Sequence, residues 1–132
     1  MRITALAIAN SIAAAVMATG CSKDISYSAD IQPILNASCL ECHDGKGQGS
    51  QESGLVLVDY DDLMQGTKLG RVVVPGESVS SNLYRLVSHK GDPSIHMPPH
   101  PPSSAAAIAV PSLTDEQIET IKTWIDQGAK NN

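Results

Sequence analysis

The sequence predicts an all-α domain whose helices are joined by long loops rich in proline and glycine. Apolar residues recur at helical spacing in residues 31–35 and again in residues 118–125. No stretch alternates apolar and polar residues for long enough to predict a strand. Six prolines interrupt residues 88–111, which favours irregular backbone there. These three observations together define the predicted fold class.

The first helix is predicted to begin with Asp30 as its N-cap and Pro33 in its first turn, where the missing N–H of proline costs nothing. It runs into Cys39 and His43 and is ended by residues 44–47. Three further elements are predicted between this helix and the proline-rich stretch: a surface loop at 45–54 and short helices at 59–66 and 80–87.

The last helix has the clearest signals. Thr114 and Gln117 form a capping box, and Leu113 precedes the helix where a hydrophobic staple would place it. Gly128 fits the position just after the helix ends. We expect the apolar stripe of this helix to pack across the first helix, beside the motif that follows.

That motif is the run Cys39-Leu40-Glu41-Cys42-His43, a C-x-x-C-H pattern that indicates attachment of a c-type haem. On a helical turn, positions i, i+3 and i+4 share a face, so two thiols can bond one porphyrin edge while the imidazole reaches the iron. Zinc would need a fourth ligand, which no second such pair supplies. A thioredoxin-like site would need a βαβ pattern, and a disulfide within the turn would be strained. One motif predicts one haem c per chain.

The N-terminal segment reads as an export signal. Residues 1–20 combine a positive start, a short apolar run and small residues before a cleavage site. The tetrapeptide at residues 18–21 fits ordinary signal peptidase and also resembles a bacterial lipobox, in which Cys21 would be lipidated. Because two of the three cysteines are assigned to haem, Cys21 has no disulfide partner. We expect a signal peptide, a tether at 21–27 in which a lipidated Cys21 is favoured over a free thiol, and a periplasmic domain at 28–132 that this lipid would attach to a bacterial membrane.

The sixth position on the iron is predicted to be filled by Met97, since Pro98 and the proline after it restrict the backbone that would hold a thioether there. His96 and His100 flank it and are alternative ligands. Met64 falls on a predicted helix and is interpreted as core. Four residues are candidates to hold the haem propionates: Tyr60, Arg71, Arg85 and Trp124.

Charge and composition restrict the partners. The formal net charge of −5 becomes −6 once the signal peptide is removed, which excludes nucleic acid as a partner, since that requires a basic stripe. The acidic balance suits docking to a basic redox partner, or simple solubility. Only three tyrosines and one tryptophan are present, without phenylalanine, so a buried porphyrin would supply apolar area that the chain lacks.

Several segments together resemble class I c-type cytochromes, and more narrowly the cytochrome c domains of planctomycete secreted proteins. The similarity covers about residues 28–129, whereas the loops at 45–53 and 100–110 depart from the family pattern. The matching segments are residues 31–35, 39–43, 54–57, 75–76, 81–84, 97–99 and 124–129. The resemblance implies an all-α haem domain with His43 and Met97 as axial ligands.

With both axial positions filled by protein, the iron has no open site for a substrate, and the function expected is single-electron transfer. We therefore predict a periplasmic electron carrier and not an enzyme. Two alternatives remain: a redox or gas sensor in which Met97 dissociates, and an electron-transfer subunit of a larger periplasmic oxidoreductase. A peroxidase would normally need a second haem motif.

Overall fold

The computed structural model describes residues 23–99 and 111–132, and the regular secondary structure in these two ranges is helical. Within them the chain forms no strand, only an isolated bridge between Thr67 and Gly70. The all-α prediction is confirmed for the described part. The elements are a π-helical turn (Tyr27–Ile31), α1 (Gln32–Ser38), α2 (Gln48–Ser53), α3 (Tyr60–Gln65), a 3₁₀ turn (Ser78–Ser80), α4 (Asn82–Val87), a second 3₁₀ turn (Pro93–Ile95) and α5 (Asp115–Asp126).

The predicted signal peptide, Cys21 and His100 lie outside the described residues. Among the helices that are described, none has the length and apolar character needed to cross a membrane.

The helical segment that leads into the motif starts and ends earlier than the sequence predicted, because the π-helical turn begins at Tyr27 and α1 ends at Ser38. Ser26 is the capping residue: its hydroxyl accepts the Ala29 N–H at 3.2 Å, and the Asp30 carboxylate accepts the Ser26 N–H at 2.9 Å. Asp30 was therefore wrongly assigned as the N-cap, because a reciprocal cap four residues earlier already satisfies the free N–H groups. At the other end α1 stops at Ser38, and Cys39 leaves it with φ −129°.

The predicted surface loop at 45–54 was also wrong, since α2 occupies residues 48–53. A side-chain bond from Gln48 Nε2 to Glu52 Oε1 at 2.8 Å supports this short helix. It ends at Gly54, which adopts φ +81° and so takes the left-handed conformation that closes helices. The helix at 59–66 is confirmed, as α3.

Helix α5 contributes three of its side chains to the buried core. Thr114 and Gln117 form the predicted capping box. Trp124 is fully buried, with its ring centroid 5.6 Å from that of Tyr27. The helix packs mainly on the π-helical turn, on α4 and on the 3₁₀ turn before α4. Ile121 and Ile125 complete its buried face. This packing fixes the end of the chain against the segment that leads into the Cys39–His43 motif.

Candidate haem-binding site

A cavity of about 530 Å³ brings the four predicted site residues together: Cys39, Cys42, His43 and Met97 all line it. Its volume lies in the range of pockets that hold small molecules and cofactors. The walls are largely apolar and come from the segment after α2 and from α4. The apolar lining residues are Leu55, Leu57, Leu83, Leu86 and Val87.

The motif forms a hydrogen-bonded turn beyond the end of α1. The His43 N–H contacts the carbonyl oxygen of Cys39 at 3.1 Å, the i to i+4 spacing of an α-helix, and the Cys42 N–H donates to the same oxygen at 3.2 Å. The helix predicted through this segment is thus reduced to a single turn. That turn is enough to place both thiols and the imidazole on one cavity.

The imidazole of His43 is held in a defined orientation. His43 is 8% exposed, and its Nδ1 lies 3.1 Å from the carbonyl oxygen of Leu55. Because a carbonyl oxygen can only accept, Nδ1 carries the proton and Nε2 keeps its lone pair. This is the tautomer that a metal-ligating histidine requires, with its other nitrogen bonded to a backbone carbonyl.

Two glycines permit close packing around the motif, a role that the sequence pattern did not reveal. A Cβ atom on Gly47 would lie 2.7 Å from the carbonyl oxygens of Glu41 and Cys42. A Cβ atom on Gly49 would lie 2.7 Å from Nε2 and Cε1 of His43. The glycine-rich sequence here predicted only a loop, whereas in the structure Gly47 leaves space for the backbone of the motif and Gly49 leaves space for the histidine ring.

Replacing Gly49 by alanine should therefore displace the His43 imidazole. We expect a free energy of unfolding lower by about 1–3 kcal/mol, as for other overpacked sites, and partial loss of the low-spin haem spectrum. Denaturant unfolding and absorption spectroscopy of the purified variant measure both effects. Gly91→Ala is the matched control, because a Cβ atom there would lie no closer than 3.4 Å to the flexible Leu86 side chain and 3.8 Å to the Arg85 carbonyl oxygen. Equal behaviour of the two variants would contradict the packing role of Gly49.

Met97 reaches the cavity from the proline-rich stretch. Its N–H donates to the carbonyl oxygen of Leu86 at 3.3 Å, which ties this segment to α4. The side chain is half-buried and packs against the core. Met64, on α3, is partly buried against the same core but does not line the cavity, as its interpretation as core predicts.

His96, the neighbour of Met97, also lines the cavity. Its ring stacks on that of His89 with centroids 4.4 Å apart. Its Nε2 is buried and has no hydrogen-bond partner among the described residues. Buried polar atoms are normally paired, so this nitrogen favours a bound group with polar atoms nearby. His96 therefore remains an alternative to Met97 as the sixth ligand of the iron.

The four propionate candidates are not on the cavity. The Tyr60 hydroxyl donates to the Ala129 carbonyl at 2.8 Å, and Trp124 Nε1 donates to the Lys130 carbonyl at 3.0 Å. Arg71 and Arg85 are exposed. These residues were suggested by composition alone. Packing around α5 holds Tyr60 and Trp124 away from the cavity, where their polar atoms bond to the C-terminal backbone. The polar residues that do line the cavity are Ser38, Gln48, Glu52, Ser94 and His96.

Burial controls the ionisation of the first cysteine. The apolar surroundings raise the pKa of the Cys39 thiol to about 11, with a smaller contribution from Cys42. The thiol therefore stays neutral at physiological pH and suits an apolar porphyrin edge better than a metal ion. Across residues 23–99 and 111–132, no cluster of three or more His, Cys, Asp or Glu side chains is arranged to hold a metal ion directly.

These residues fit a haem: two thiols, one imidazole with a free Nε2, a thioether and apolar walls share a single cavity. An all-α domain that presents a C-x-x-C-H turn on such a cavity has the architecture of a c-type cytochrome.

Comparison with known proteins agrees with this architecture. The profile described as Planctomycete cytochrome C matches residues 39–101. The match supports a planctomycete-type cytochrome c domain over these residues, and cytochrome c domains transfer electrons through a covalently bound haem c.

Two curated relatives support this assignment. Hydrazine synthase subunit alpha of Kuenenia stuttgartiensis is 27% identical over 127 residues, which cover 82% of this chain and 16% of that protein. The fructose dehydrogenase cytochrome subunit of Gluconobacter japonicus is 29% identical over 104 residues, which cover 79% of this chain and 19% of that protein. The chain thus spans less than a fifth of the length of either relative. No solved structure matches it significantly.

Proposed function

We propose that the protein is a periplasmic single-electron carrier with one haem c, attached through Cys39 and Cys42 and ligated by His43 and Met97. The observation that supports this most strongly is the convergence of these four side chains on one cavity, although Met97 comes from a segment more than 50 residues away. When bound, the haem supplies a reversible Fe(II)/Fe(III) couple.

The chain's own residues would govern that couple. His43 presents an imidazole whose orientation the Leu55 carbonyl fixes. The Met97 thioether would favour the reduced state and raise the reduction potential. The leucines and valine of the cavity wall exclude water, which acts in the same direction. With His43 and Met97 as its ligands, the iron would have no open coordination site for substrate chemistry.

A potentiometric titration of the holoprotein tests the proposal. We expect a single one-electron transition, full reversibility, and a reduced spectrum that carbon monoxide does not change. If carbon monoxide binds readily to the reduced protein, the sixth site is open, and the sensor hypothesis replaces the carrier.

A second candidate is an electron-transfer subunit of a larger periplasmic oxidoreductase. The names of both relatives support it, since each denotes a subunit and one denotes a cytochrome subunit. Under this proposal the redox partner is another subunit of the same stable complex. Purification from the native membrane under mild conditions separates the two: a stoichiometric complex supports the subunit, and a monodisperse single chain supports the free carrier.

The proposed location rests on the N-terminal sequence. Residues 1–20 would be removed on export, and Cys21 would carry a lipid that tethers the domain to a membrane through residues 21–27, because it is the cysteine left over from haem attachment. The mass of the mature N-terminal peptide tests this: an unmodified Cys21 contradicts the tether.

A further inference from the structure

We propose that Ser50 is a positioning residue that raises the reduction potential by sharing the backbone carbonyl to which the His43 imidazole donates. The inference rests on the proposed function, since it requires His43 as an iron ligand. Ser50 is not among the residues that line the cavity, so any effect it has on the iron must pass through His43.

Ser50 and His43 converge on one acceptor. The Ser50 hydroxyl donates to the carbonyl oxygen of Leu55 at 2.8 Å, and His43 Nδ1 donates to the same oxygen at 3.1 Å. The Ser50 hydroxyl also accepts the Gly45 N–H at 3.0 Å. Its own N–H donates to the Cys42 carbonyl at 2.9 Å. Ser50 is only 6% exposed, so water does not compete for these bonds.

Two donors on one carbonyl oxygen weaken each other, because each withdraws electron density that the other would use. The shorter serine bond therefore limits the strength of the bond from His43 Nδ1. A weaker bond at Nδ1 leaves the imidazole less basic at Nε2, since a hydrogen-bonded partner at the second ring nitrogen raises ligand basicity. A less basic imidazole stabilises Fe(III) less and favours the reduced state. Hydrogen bonds to the ligands of a haem iron are known to change its reduction potential.

The chain provides a matched control on the same helix. The Ser53 hydroxyl donates to the Gly49 carbonyl at 2.6 Å and accepts the Leu55 N–H at 3.1 Å. The Ser53 hydroxyl thus makes two hydrogen bonds, as the Ser50 hydroxyl does, but none to the Leu55 carbonyl oxygen. Ser50→Ala and Ser53→Ala each remove two hydroxyl bonds and differ in whether they change the acceptor of His43.

The experiment compares the holoproteins of the wild type, Ser50→Ala, Ser53→Ala and Ser50→Thr by potentiometric titration and by proton NMR of the reduced state. We expect Ser50→Ala to have a lower midpoint potential and a His43 Nδ1 proton shifted downfield by its stronger hydrogen bond. Ser53→Ala and Ser50→Thr, which keep the shared carbonyl bond, should retain the wild-type values. If Ser50→Ala yields no holoprotein, Ser50→Cys replaces it, because a thiol is a weak donor and predicts the same direction.

An unchanged or higher potential in the variant that lacks the hydroxyl would overturn the proposal, as would an equal fall in Ser53→Ala. Failure of the proposed function is distinct, because it would be visible in the wild type as the absence of a haem-shifted His43 ring resonance.

Discussion

A variant in which both Cys39 and Cys42 are replaced by serine should contain no covalently bound haem. The two thiols line the cavity together with His43, and no other described residue could form a thioether bond there. His43 and Met97 remain in the variant, so haem can still associate but is extractable. Mass spectrometry of the denatured protein measures the effect directly: the wild type carries the mass of one haem and the double variant carries none.

The control is Cys21→Ser, which removes the third cysteine while leaving the motif intact. It should retain full covalent haem and lose only the proposed lipid. If Cys21→Ser lost haem, or if the double serine variant kept it in covalent form, the assignment of Cys39 and Cys42 would be contradicted.

Met97→Ala should lower the reduction potential by on the order of 100 mV or more, within the roughly 0.8 V that axial ligands span in haem proteins. The variant loses the thioether that would stabilise Fe(II), and its sixth position opens to water or to another side chain. The weak sulfur-to-iron absorption band at the red end of the oxidised spectrum should disappear with it. Potentiometric titration and absorption spectroscopy measure the two effects.

Met64→Ala is the matched control, because Met64 is a partly buried methionine that packs on the core away from the cavity. It should leave both the band and the potential near the wild-type values while lowering stability. A Met97→Ala variant with an unchanged spectrum would show that the thioether is not the ligand. His96, whose Nε2 is buried beside the cavity, would then be the first residue to replace.

The sequence predicted the ends of the helices correctly where the capping residues act on one helix alone. The capping box of Thr114 and Gln117 predicted where α5 begins, and Asp59 and Gly66 did so for both ends of α3. The start of the first helix was missed because Ser26 and Asp30 cap each other, a pairing that competes with a simple reading of Asp30 as N-cap.

The chemistry-bearing side chains were recognisable because covalent haem attachment dictates residue types at fixed spacing. The surroundings of His43 were not, since they depend on contacts that only folding creates. Leu55 supplies its main-chain oxygen, Gly49 supplies an absent side chain and Ser50 supplies a shared hydrogen bond. None of these roles produces a recognisable sequence motif. The propionate candidates failed for a related reason: Trp124 and Tyr60 are used by the C-terminal packing.

An absorption spectrum of the oxidised holoprotein addresses the proposed His43/Met97 ligation of the iron. The geometry of the cavity, with Met97 tied to α4 through Leu86, predicts a low-spin spectrum that includes the weak sulfur-to-iron band at its red end. A low-spin spectrum without that band would mean histidine in the sixth position. A high-spin spectrum would mean that the sixth coordination position is open. Either result would contradict the electron carrier proposed here in its His/Met form.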